Sequence, residues 1–149
     1  MIDRAHIGKT WGPWTVDVEK GRLRLLAKAI GETRPVYHDE AAARAAGYRS
    51  ILAPLTFAYC LLADDPGGHG YLGELGIPTE RILHGELQLK LFDSICAGDR
   101  IRLTRVLSDV IVKKGGALEF AVFDSVVTNC DGDRPVARIR NLLAVRNAP

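Results

Sequence analysis

Apolar residues along this chain follow two different periods. Up to about Asp65 they recur at helical spacing, and from about Arg81 they alternate with polar residues. Val18, Leu23, Leu26, Ala27 and Ile30 place apolar groups on one face of a first helix, with Asp17 as its N-cap and Gly31 just past its end. A short second helix is expected after Asp39, with Glu40 in its first turn and Gly47 as its stop. The third starts at Pro54, a residue suited to a first helical turn, and runs through LTFAYCLLA. It is apolar nearly all round and is expected to be buried on most sides, with Leu55, Ala58, Leu61 and Leu62 almost fully covered. DDPGGHGYLGELGIP, residues 64–78, reads as a long irregular connector or a mobile loop.

The second half reads as sheet. In ELQLKL, Glu86, Gln88 and Lys90 alternate with Leu87, Leu89 and Leu91, as in a half-buried strand. DRIRLTRVLSDVIV is a second strand whose alternation slips near Arg105, suggesting a bulge there. KKGG turns the chain into ALEFAVFDSVVTN, and the Asp-Gly of residues 131–133 is a hairpin signal before RPVARIRNLLAVR. An early strand around Thr15 to Asp17 completes the set. A helix apolar on every side, followed by long antiparallel strands, predicts an α+β hot-dog fold, in which an antiparallel sheet wraps around a central apolar helix. A four-stranded sandwich capped by helices is the alternative.

Composition narrows the function. The 149 residues suit one domain, 1–149, with a hydrophobic core, at 47% hydrophobic and 26% charged residues. A formal net charge of only +2 gives no reason to expect nucleic acid or an anionic membrane as partner. MIDRAHIGKTW lacks the apolar core of a secretory signal, and the run from Ile51 to Ala63 is too short to span a bilayer. Cys60, Cys96 and Cys130 are scattered thiols without metal-site spacing. A cytoplasmic protein is expected, with neither metal nor redox cofactor.

One stretch concentrates the chemistry: AIGETRPVYHDEAAARAAGYRSILAPLTF, residues 29–57. With LHGE, AGD and KKGGALEFAVFDSVVTNCDG in the same order further on, it resembles the MaoC-like dehydratases, including the dehydratase region of type I fatty acid synthases. The resemblance covers most of the chain. It implies a hot-dog fold, usually paired as a homodimer or with a related hot-dog subunit. It also implies action on (R)-3-hydroxyacyl or enoyl thioesters of coenzyme A or acyl carrier protein. Catalytic members carry Gly-Asp-x-Asn-Pro-x-His. Here GETRPVYH keeps Gly31 and Pro35, but Glu32 takes the aspartate place, Arg34 the asparagine place, and His38 comes one residue late. A leucine, Leu87, follows Glu86 where many relatives have glutamine.

Hydrating an enoyl thioester adds water at the β-carbon and a proton at the α-carbon; a carboxylate and an imidazole sharing one water can do both. Glu32 and His38 are the candidate pair. Free main-chain N–H groups at the start of the apolar helix, around Ala53, Pro54, Leu55 and Thr56, would receive the enolate oxygen, and His84 would face the acyl pocket. The plainer readings make Glu32 a solvated acid, His38 a neighbour of a capping Asp39 and His84 an exposed strand residue. His6 and His69 read as solvated, and Arg102 and Arg105 as part of a solvated strand face. Altered motifs also occur in non-catalytic acyl-binding subunits, so that function stays open. A hot-dog thioesterase would need a nucleophile or water-activating acid on the central helix, where only Cys60 stands.

Overall fold

A computed structural model describes residues 1–147. Five strands, β1 (Thr10–Asp17), β2 (Ile82–Leu91), β3 (Arg100–Lys113), β4 (Leu118–Asn129) and β5 (Arg134–Arg146), form one antiparallel sheet in the order β1-β3-β4-β5-β2. Among the described residues the sheet is single, so the sandwich alternative falls. Helices α1 (Lys20–Ala29), α2 (Glu40–Ala45), α3 (Phe57–Cys60) and α4 (Gly70–Glu74) are all short.

The inward residues of the middle strands alternate as their sequence does. Ile101, Leu103 and Leu107 of β3, Phe123 and Val127 of β4, and Ile139 of β5 are all nearly inaccessible. Most of them close on Phe57, Ala58, Leu61 and Leu62, which makes the hot-dog core. A second cluster joins Leu107, Ala121, Phe123 and Leu143 to Leu72, Leu75 and Ile77.

Several expectations need correction. The central helix does not start at Pro54. Leu52 is pinned extended by its N–H to the Val36 carbonyl and Ala53 by its N–H to the Ile95 carbonyl, at 3.0 and 2.8 Å. The chain turns at Pro54, whose carbonyl accepts from Phe57 N–H, and only Phe57–Cys60 is α-helical before a 3-10 turn over Leu61–Asp64. Leu55 therefore lies outside the helix and is 64% exposed. Asp17 ends β1 opposite Arg100, so Glu19 occupies the N-cap of α1; Ile30, past its end, is exposed. The irregular segment contains α4, because Leu72, Leu75 and Ile77 have a core to enter. The register shift of β3 falls between Leu107 and Asp109, and the alternation runs through Arg105 unbroken. Arg105 is thus turned inward and is 5% exposed, not part of a solvated face.

The second helix stands as expected. Asp39 caps it by accepting from Ala42 N–H at 2.7 Å, and Gly47 follows its end with φ +90°.

Candidate functional site

The signature segment is held by its neighbours at each end. Gly31 adopts φ +71°, a left-handed conformation that lets Glu32 N–H reach back to the Ala27 carbonyl and close α1. Pro35–Tyr37 forms a 3-10 turn, and the Arg24 side chain on α1 donates to the His38 carbonyl at 3.0 Å. Beyond it, a buried clamp fixes the strand leading to Pro54. Asp99 of the AGD motif is 5% exposed, accepts from Arg49 through both oxygens, and also receives the Cys96 N–H at 2.8 Å. A lone acid after a glycine gives no sign of that in the sequence.

Glu32 and His38 share a shallow basin with Gly31 and Thr33, but their functional atoms turn to other partners. Glu32 Oε1 accepts from the Arg34 main-chain N–H and Nε at 3.0 Å each, and Oε2 accepts from Arg34 Nη2 at 2.6 Å. The Arg34 guanidinium, hydrogen-bonded to this carboxylate, holds it down at about 2. The guanidinium also rests over the Tyr37 ring, 4.9 Å from its centroid. His38 Nε2 lies 2.6 Å from the main-chain carbonyl of Glu32. The carboxylate and the imidazole are therefore each engaged, and not with one another.

The other expected residues fall in two further places. Pro54 and Leu55 border a groove of about 370 Å³ together with Arg34, Tyr37 and Phe92. In that turn the Ala53 and Phe57 N–H groups are already committed, to Ile95 and Pro54 carbonyls. Thr56 contributes its carbonyl to the Tyr59 N–H at 3.0 Å. His84 is an exposed residue of β2, edge-on to Tyr59 at 6.0 Å between ring centroids.

Tyr59 also borders a cavity of about 410 Å³ between the apolar helix, the α4 segment and the inner face of the sheet. A second lobe of about 410 Å³ shares Tyr59, His69, Tyr71 and Asn141 with it. Arg105 and Asn141 in this wall were not singled out from sequence as site residues. Their signal was present: each occupies a place in the two-residue period otherwise held by leucine or isoleucine. Cys60 lines the cavity too, and burial pushes its thiol up, away from the thiolate a nucleophile needs.

A five-stranded antiparallel sheet closed on a short apolar helix is the fold of the MaoC-like dehydratases. A solved MaoC-like dehydratase superposes with a TM-score of 0.82 at 21% identity, over 97% of this chain and 43% of that one. The C-terminally truncated HadBC (3R-hydroxyacyl-ACP dehydratase) complex from Mycobacterium tuberculosis gives 0.81 at 22% identity, over 93% and 96%. Residues 5–138 match the family described as FAS1-like, dehydratase domain region, and the chain belongs to that family. A UPF0336 protein of Saccharopolyspora erythraea is 29% identical over 97% of this chain and 92% of its own length.

Proposed function

We propose that this chain is the acyl-binding half of a two-chain (R)-3-hydroxyacyl-thioester dehydratase, or enoyl hydratase, whose partner carries the complete signature. The observation that carries this reading is the Glu32–Arg34 clamp. A hydratase needs one group to take a proton from water and another to give one to the α-carbon, with proton affinities near the working pH. A carboxylate held at about 2 is a poor base, and both its oxygens already accept from Arg34. His38 offers Nε2 to a main-chain carbonyl.

What the chain retains is binding surface. The carrier arm of the thioester lies in the groove beside Pro54 and Leu55, and the acyl chain runs along the apolar helix toward the cavity at Tyr59. Pairing uses the open sheet edge at β2, where Leu83, Leu91 and Phe92 are exposed. HadBC, a complex by its description, supports a two-chain arrangement.

The purified chain alone should bind acyl-CoA without consuming enoyl absorbance, and turnover should appear when a hot-dog subunit with the full signature is added. Turnover by the chain alone, reduced about a hundredfold by His38→Ala, would overturn this reading. It would establish a self-sufficient hydratase built on Glu32 and His38, a second reading favoured by their common basin.

A further inference from the structure

The inner face of the sheet has a polar interruption. Arg105, Ser125 and Asn141 take inward places that continue the rows of Leu103 and Leu107, Phe123 and Val127, and Ile139 and Leu143. Arg105 and Ser125 are direct cross-strand partners, and Asn141 stands opposite Phe123. All three are buried, Asn141 at 8% exposure, and all three line the cavity.

The charge in this wall is already balanced. Arg105 donates to Asp65 and to the Leu62 carbonyl, at 3.1 Å each, with Tyr71 stacked 4.0 Å from its guanidinium carbon. At the rim Arg22 pairs with Asp64 at 2.6 Å. The amide of Asn141 is not balanced. Its Nδ2 stands 3.5 Å from the Tyr59 hydroxyl, the limit of a hydrogen bond, and its Oδ1 is buried without a protein partner. Turning the amide over exchanges oxygen and nitrogen and leaves the nitrogen unpaired instead. Either way one polar atom is left buried and unsatisfied in the cavity wall, at a position where leucine would cost less.

We propose that the cavity selects an oxygenated acyl tail: a neutral hydroxyl on the distal part of the chain, received by Asn141 beside the Tyr59 hydroxyl. The inference rests on the acyl-binding reading above and specifies which chain is bound. A hydroxyl both donates and accepts, so it satisfies whichever amide atom faces it. A plain alkyl tail leaves that atom unpaired. A terminal carboxylate enters a wall whose cations are already matched by Asp64 and Asp65. The cavity wall runs from Tyr59 to Ala63, beginning five residues past the Pro54 turn. The hydroxyl therefore sits well beyond the carbons that react.

The test uses the purified chain and non-hydrolysable thioether analogues of hexanoyl-, octanoyl- and decanoyl-CoA, beside their ω-hydroxy and ω-carboxy counterparts. Titration calorimetry should show the ω-hydroxy ligand of the fitting length binding about tenfold tighter than the plain chain, and the ω-carboxy ligand weaker than both. Asn141→Leu should tighten the plain chain and abolish the hydroxyl preference. The comparison in the unaltered protein needs no variant, so it decides the matter even if the variant misfolds. Plain chains bound as tightly as hydroxylated ones at every length would overturn the inference while leaving the acyl-binding reading intact. A preference that survives Asn141→Leu would overturn it too. Binding of none of the analogues would overturn the acyl-binding reading and this inference together.

Discussion

Two residues apart in sequence, Glu32 and Arg34 form a contact whose effect is readable in acid. The side-chain hydrogen bond from Arg34 is the largest cause of a carboxyl held at about 2 instead of 4.5. The folded-state value lies below the unfolded one. The stability this acid contributes is therefore fully present above about pH 4.5 and is lost as the pH falls toward 2. Glu40, held at about 2 by Lys20 and Arg44, acts in the same direction. Urea midpoints measured across this range should fall with pH, and Glu32→Gln should flatten part of that fall. The guanidinium half of the contact is solvent-facing, so the difference should be small and should shrink further in high salt. A Glu32→Gln variant with an unchanged acid profile at low salt would mean the guanidinium does not hold the carboxylate in solution.

At the scale of elements, the central segment and the turn before it should behave very differently. Leu61 is fully buried among the inner-face residues, and Leu61→Ala should destabilise by about 2–5 kcal/mol in chemical denaturation. Leu55, outside the helix and exposed, should change stability by less than about 0.5 kcal/mol when truncated. A large loss at Leu55 in the isolated chain would contradict the extended turn at Pro54. The strands, the capped second helix and the Asp-Gly hairpin were legible in the sequence because each depends on local spacing or local turn chemistry. The true start of the central helix was not, because the extended conformation of Leu52 and Ala53 comes from main-chain partners at Val36 and Ile95. Helix α4 was hidden for a related reason: Leu72, Leu75 and Ile77 stand among glycines, and only the second core cluster gives them a place. In the candidate site, the altered signature was legible residue by residue. The engagement of both side chains by other groups was not, since it depends on which way the turn directs them. Arg105 and Asn141 show the opposite case. A polar residue holding an apolar place in a strand's period looks like a slip in the pattern, yet here it marks the wall of a cavity.

For the molecule as a whole, the sheet order separates neighbours in space from neighbours in sequence. β3, β4 and β5 follow one another through short turns and pair as a meander. β1, by contrast, lies against β3, so that Asp17 meets Arg100 across nearly the whole helical half of the chain. This has a kinetic consequence. Hairpins close quickly over short loops, whereas a distant strand must wait for its template and bear the larger closure entropy. The meander should therefore form first, with β1 added last as an edge strand held by a single neighbour. Pulse-labelled hydrogen exchange during refolding should protect the amides of β4 before those of β1. In the native state β1 should open at lower free energy than β4 does. Equal protection of the two strands at the earliest times would show instead that the helical half collapses onto the sheet as it forms. If β1 is the last strand in and the first out, the chain's slowest folding step closes the loop from Asp17 to Arg100. Substitutions in the signature at residues 31–38, which lies inside that loop and leaves its length unchanged, should then leave the refolding rate nearly untouched.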